Sequence, residues 1–304
     1  MSAHIHPSSF IFHPFAAIAV AFSLGAGAIG LADDARLPAE FQKLLPLAVP
    51  LGPPRPGDWR AAHPEPAETY QQFLRSGPNR ARPERRTIYV QPLGEFRPAE
   101  QKIVAITGQY MEIFFGLPVT TRKDLPLGVV PASARRMHPS WGVDQVLSTY
   151  VLSKVLAPRL PPDAAAYIAF TTSDLWPGEG WNFVFGQASL SQRVGVWSIH
   201  RFGDPETRFA PCLRRTMALA SHETGHMFSL AHCLFYECNM CGSNSLAESD
   251  RRPSWLCPVC MAKLCYATGA DPAVRLRRLM EFSKTRGLKA EENFYRKSLE
   301  ALGR

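Results

Sequence analysis

The 304 residues contain no internal repeat, which excludes a solenoid, a propeller or an array. Nor is there a basic tract with interleaved aromatics. The formal charge is +8 and the isoelectric point about 9.3, but the arginines are scattered in pairs such as Arg85/Arg86, Arg135/Arg136, Arg214/Arg215 and Arg251/Arg252. That pattern describes a solvated basic exterior, so no nucleic-acid partner is expected. No lipobox cysteine is present. Between residues 10 and 32, "FIFHPFAAIAVAFSLGAGAIGLA", there is no Lys, Arg, Asp or Glu, and Asp33-Asp34 ends the run. Three readings follow. The run is a signal peptide cleaved after Ala28 or Ala32, an uncleaved anchor that spans a membrane if Pro14 is tolerated, or a buried apolar segment of a cytosolic protein. His4 and His6 stand where a signal peptide usually has Lys or Arg. Export or anchoring is the expectation and a cytoplasmic location the alternative, with membrane contact only if the run is uncleaved.

What is present reads as an ordinary folded protein, with 46% hydrophobic and 20% charged residues. Twelve of the 27 prolines lie between Pro38 and Pro98, so that stretch is expected to run over the surface with one short helix at "ETYQQFLRS". The expected division is a signal or anchor at 1–32, a proline-rich extension at 33–84 and a catalytic domain at 85–304. "RTIYVQP", "AAYIAFTT" and "RVGVWSIHRF" read as strands, the last as a candidate edge strand along which an extended peptide could add. "PAEQKIVAITGQYMEIFFG", "GVDQVLSTYVLSKVLA" and "TMALASHETGHMFS" have helical spacing, and residues 272–301 look like one amphipathic helix. Such alternation implies an α+β fold with a twisted, mostly parallel mixed sheet and helices over it.

The chemistry concentrates in "SHETGHMFSLAHCLFYECNMCGSNSLAESDRRPSWLCPVC", residues 221–260, which holds three histidines and five of the seven cysteines. His222 and His226 stand four apart on a predicted helix, separated by about 40° around its axis, so both rings reach one ion from one face. Glu223 lies beside the first, where a carboxylate can take a proton from zinc-activated water; this is the HExxH signature. A third ligand is needed, and His232 is the candidate. On an unbroken helix it would sit about 9 Å beyond His226, too far for bonds of about 2.0 Å. The chain must therefore turn sharply between 227 and 231. Motifs of this kind place glycine seven residues after the first histidine, because glycine enters the left-handed conformation freely. Here that position is Ser229, at a cost of about 1–2 kcal/mol.

Four thiolates bind zinc when two close pairs come together, and Cys257-Pro-Val-Cys260 is one pair. Cys238 with Cys241 would complete a zinc-ribbon spacing. Cys233 with Cys238 is the other choice. Disulfides are a third reading if the protein is exported. Cys212 and Cys265 read as small buried residues.

"HETGHMFSLAHC", followed by Cys238-Asn-Met240 and by Cys257-Pro-Val-Cys260 with Lys263-Leu264, resembles the archaemetzincin family of zinc metallopeptidases, in particular its vertebrate-type branch. "SDLWPGEGWNFVFGQASLSQRVGVWSIHRFG", "RRTIYVQPLG" and, more loosely, "GDWRAAHPEPAETYQQFLRS" are similar to the same branch. The resemblance implies a metzincin-like zincin domain whose catalytic zinc is bound by His222, His226 and His232, with Glu223 as general base. It further implies a second, structural zinc held by Cys233, Cys238, Cys257 and Cys260, with Cys241 left out. Met240 falls at the family's Met-turn methionine, a floor beneath the catalytic site. Asp174 and Asn182 match a family segment and read as structural. Ser229 departs from the family glycine. The implied partner is a peptide or protein substrate and the implied state a monomer. The alternatives are a zinc-stabilised binding protein with little turnover and, on the 238/241/257/260 spacing alone, a zinc-ribbon nucleic-acid binder.

Overall fold

The computed structural model describes residues 36–190 and 192–304, so the apolar run at residues 10–32 and its expected cleavage points lie outside the described residues. Runs with Val, Ile and aromatics form the central strands Thr87–Leu93, Ala164–Thr171 and Val194–Ser198, as β-branched and flat side chains suit a pleated surface. In chain order the strands are β1 (Thr87–Leu93), β2 (Val119–Thr121), β3 (Arg135–Met137), β4 (Asp144–Leu147), β5 (Ala164–Thr171), β6 (Asp174–Trp176), β7 (Gly186–Ser189) and β8 (Val194–Ser198). Five make one sheet in the order β2-β1-β5-β8-β7, parallel throughout except where β7 meets β8. A smaller sheet, β3-β4-β6, stands apart from it. The α+β class with a mostly parallel mixed sheet is therefore observed.

Helices cover both faces of the main sheet. On one side Ile88, Val90, Ile168, Phe170 and Trp197 pack with Ile103 and Phe114 of α4 (Pro98–Phe115) and Met217 and Ala220 of α6 (Phe209–Met227). On the other, Tyr167, Ala169, Val194 and Val196 pack with Val151, Val155 and Leu156, the π-helical continuation (Val151–Leu156) of the short helix α5 (Ser148–Tyr150). Strands covered on both faces are buried along their whole length. That corrects the expected edge strand. Val194–Ser198 is buried at every position and lies between β5 and β7, and the outermost strand on that side is β7.

Two helix expectations are also corrected. "GVDQVLSTYVLSKVLA" begins as strand β4, because Gln145 and Val146 are drawn into the small sheet, and only the remainder is helical. Residues 272–301 form two helices, α9 (Pro272–Thr285) and α10 (Lys289–Ala301), divided by a turn at 286–288.

The proline-rich segment does more than run over the surface. Its short helices α1 (Ala39–Gln42), α2 (Trp59–Ala62) and α3 (Tyr70–Arg75) put Phe41, Trp59 and Phe73 into the main core beside Met261 and Leu264 of α8 (Pro258–Thr268). Prolines deny it long regular elements but leave its apolar side chains free to bury. Backbone bonds from Ala81 to Ala267 and from Leu51 to Phe235 fasten it. Among the described residues no helix is long and apolar enough to cross a membrane.

Candidate metal centre

Helix α6 carries His222 and His226 on one buried face, with their Nε2 atoms 3.0 Å apart. The helix ends at Met227 and the chain doubles back through Ser229, whose φ of 66° is left-handed. The serine thus takes the conformation that the usual glycine would hold. Its Oγ accepts a hydrogen bond from the Asn79 N–H at 3.0 Å, and the Asn79 side chain donates to the Met227 carbonyl at 3.1 Å. The turn brings His232 to 5.4 Å from His222 and 5.2 Å from His226, ring centre to ring centre. One ligand atom from each of the three lies within 4.8 Å of the others.

Each ring is oriented from behind. His222 Nδ1 lies 2.7 Å from the Asn239 carbonyl, His226 Nδ1 2.5 Å from the Leu230 carbonyl, and His232 Nδ1 2.8 Å from Glu65 Oε2. Acceptors at all three Nδ1 atoms assign the proton there, leaving each Nε2 lone pair for the shared point. Burial pushes the His222 imidazolium down to about 3 and His226 well below its usual range, with the neighbouring histidines adding to the effect, so both rings are neutral at pH 7. Neutral imidazoles are what a metal requires. Tetrahedral zinc with bonds of about 2.05 Å sets ligand nitrogens about 3.3 Å apart, close to the separation seen between His222 and His226. The donor set therefore fits zinc.

Glu223 is 3% exposed, and its Oε1 has no hydrogen-bond partner among the described residues. Burial alone pushes its carboxyl up to about 8. A buried carboxylate oxygen without a partner, on the residue next to His222, is a feature of the site that the rest of the fold does not use.

Met240 lies beneath this turn of helix. A Cβ on Gly225 would come 2.8 Å from Met240 Sδ, so glycine is what allows the thioether to press against the backbone between the two histidines. Asn239 holds the loop down, donating through Nδ2 to Ser221 Oγ at 2.9 Å and to the Ala218 carbonyl at 3.2 Å.

Four of the cysteines form a second cluster. Cys233, Cys238, Cys257 and Cys260 are buried and present their sulfurs within 4.8 Å of one another. Cys233 and Cys257 are 3.7 Å apart, against about 3.8 Å for thiolates around tetrahedral zinc with bonds of about 2.3 Å. Backbone N–H groups of Met240 and Cys257 point at the Cys238 sulfur, and that of Cys260 at the Cys257 sulfur. Cys241 lies outside the set, its thiol donating to the Tyr236 carbonyl at 3.4 Å. All seven cysteines are free. The two clusters share a strut, since the Cys233 N–H donates to the Met240 carbonyl at 2.8 Å.

Asp174 is fully buried, paired with Arg201 at 2.7 Å and with Gln145 at 2.8 Å, while the Asn182 carbonyl accepts from Arg136 and Gln145. Both serve the fold, as expected. Glu65, Asn79 and Asn239 were not anticipated as site residues. Asn239 lies between Cys238 and Met240 and could have been suspected from "CNMC"; Asn79 carries no signal.

Residues 165–265 match Peptidase family M54. The chain is similar to archaemetzincin-2 of Homo sapiens, 34% identical over 288 aligned positions that take in 83% of this chain and 79% of that protein, and to archaemetzincin-2 of Macaca fascicularis at 33% with the same coverage. Crystal structures of archaemetzincin from Archaeoglobus fulgidus, complexed with malonate, and from Methanopyrus kandleri are also similar. They are 28% and 26% identical, cover 58% and 61% of this chain and 99% and 97% of theirs, and have TM-scores of 0.45 and 0.48.

Proposed function

The chain belongs to the archaemetzincin family of zinc metallopeptidases, and from that premise we propose that it hydrolyses peptide bonds with a zinc ion held by His222, His226 and His232 and with Glu223 as general base. The observation that carries this reading is the convergence of three buried Nε2 atoms whose Nδ1 partners are already committed elsewhere. Zinc bound there supplies Lewis acidity, polarising the scissile carbonyl and bringing the pKa of water toward about 7. Glu223 accepts the proton of the attacking water and returns it to the leaving nitrogen, the task that suits a buried carboxyl with a vacant oxygen. The apolar surroundings strengthen each charge interaction in this step.

Four cysteines, Cys233, Cys238, Cys257 and Cys260, hold a second, structural zinc in this reading, giving two ions per chain. Peptide or protein substrates bind extended along β7, whose preceding residue Phe185 lines the same small cavity as His222. The chain works as a monomer and is exported or anchored by its apolar run at residues 10–32.

The test is zinc analysis of the purified protein combined with cleavage of a peptide library by wild type and Glu223→Gln. Two ions, and cleavage that vanishes in the variant, are expected. Libraries with free and with blocked N-termini divide aminopeptidase from endopeptidase action. Two zinc ions without any cleavage would leave a zinc-stabilised binding protein.

A further inference from the structure

The third histidine owes its orientation to a residue 167 positions away in sequence. Both oxygens of Glu65 approach His232 Nδ1, Oε2 at 2.8 Å and Oε1 at 3.0 Å. We propose that Glu65, carried by the proline-rich segment, is a positioning residue of the catalytic metal site: its carboxylate fixes the His232 tautomer and ring plane so that Nε2 faces the other two histidines. This rests on the assignment of His222, His226 and His232 as zinc ligands.

The contact is a built one. Trp59 Nε1 donates to Glu65 Oε2 at 3.1 Å, and the Trp59 ring stands edge-on to His232 with centres 5.2 Å apart. Trp59 is itself locked in place. Its backbone N–H donates to both oxygens of the buried Glu248, and its ring lies on Gly242, where an added Cβ would fall 2.4 Å from Cδ1. His63 lies tilted against it with ring centres 4.0 Å apart. The path from Gly242 through Trp59 and Glu65 to His232 thus joins the loop that follows Met240, the proline-rich segment and the third ligand. His222 and His226 need no such help, because carbonyls of the neighbouring chain, Asn239 and Leu230, orient them. His232 follows the strained turn at Ser229 and is the one whose acceptor is a charged side chain. A carboxylate behind a ligating imidazole raises its basicity as well as fixing its tautomer.

The experiment compares wild type, Glu65→Ala, Glu65→Gln, Trp59→Phe and His232→Ala in three measurements: zinc release to a chromogenic chelator, the visible spectrum of the protein with cobalt at the histidine site, and peptide cleavage at rising free zinc. Glu65→Ala is expected to weaken one of the two zinc ions by about 10–100-fold, to alter the cobalt spectrum and to recover activity as zinc rises, with the cysteine-held ion unmoved. Glu65→Gln, whose amide oxygen can still accept, should fall between the two, and Trp59→Phe should shift the same readouts by less. A Glu65→Ala protein with wild-type zinc affinity and an unchanged cobalt spectrum overturns the proposal, whatever its melting temperature. If Glu65→Ala fails to fold, the same null result in Glu65→Gln and Trp59→Phe overturns it. His232→Ala separates the two levels: if that variant keeps wild-type zinc affinity, the ligand assignment itself has failed, not only the role of Glu65.

Discussion

Replacing Cys233 and Cys241 separately by alanine distinguishes the two cysteine pairings, and the structure sets the scale of each effect. Cys233 sits 3.7 Å from Cys257 within the four-sulfur cluster, follows His232 directly and ties its backbone to Met240. A structural zinc contributes about 10–16 kcal/mol to folding in small domains. Forfeiting even a quarter of the lower figure removes about 2–3 kcal/mol, which at about 2–4 °C per kcal/mol lowers the melting temperature of a domain this size by about 5–10 °C. Cys241 gives up a 3.4 Å thiol contact with the Tyr236 carbonyl, a thiol contact with Cys233 and a small buried volume, about 1 kcal/mol. The assay is a thermal melt with elemental zinc analysis on the same samples. Cys233→Ala should lose one zinc and melt much earlier, and because it unfastens the neighbour of His232 it should also loosen the remaining ion. Cys241→Ala should keep two and melt within a few degrees of wild type. The opposite ranking, with Cys241→Ala losing metal, refutes the assignment and restores the 238/241 ribbon pair.

On the proposed function, in which the residue transfers protons and is not a ligand, Glu223→Gln should retain both zinc ions and lose cleavage by several orders of magnitude; loss of zinc in this variant would show it to be misassigned. Ser229→Ala keeps the left-handed strain but deletes the acceptor for Asn79, so it should cost about 0.5–1.5 kcal/mol in denaturant unfolding. Ser229→Gly also deletes it but relieves the strain, and should stay within about 1 kcal/mol of wild type; a neutral alanine beside a costly glycine would contradict this view of the turn. Gly242→Ala should push Trp59 off its seat, at about 1–3 kcal/mol by chemical denaturation, and speed zinc release. N-terminal sequencing of protein from its native host should find Ile29 or Asp33 first; an intact Met1 in the soluble cytosolic fraction would end the export reading.

The candidate ligands are legible in the sequence because their spacing is local. A histidine pair four apart with an acid beside it, then His232 and the cysteines, all fall within forty residues, and metal geometry restricts what such spacing can do. What orients those ligands left no comparable mark. Asn239 and Leu230 act on His222 and His226 through backbone carbonyls, which every residue type has. Glu65 is an ordinary acid among prolines, and only the loose family likeness of "GDWRAAHPEPAETYQQFLRS" pointed near it. The misread strand has a different cause. Val194, Val196 and Trp197 can be read as one buried face and one open one, but helices cover both, a fact set by chain segments far away in sequence.

The three histidines are each oriented by a different part of the chain, so the geometry of the centre depends on contacts made at three sequence separations. The acceptor for His226 forms with the turn itself, as soon as residues 226–230 adopt it. That for His222 arrives only when the Asn239 loop docks on α6, and this loop is organised by Cys233 and Cys238. The acceptor for His232 arrives last in topological terms, when the proline-rich segment packs against α8 and brings in Glu65. Loop closure costs more for contacts that are distant in sequence, so assembly should follow that order.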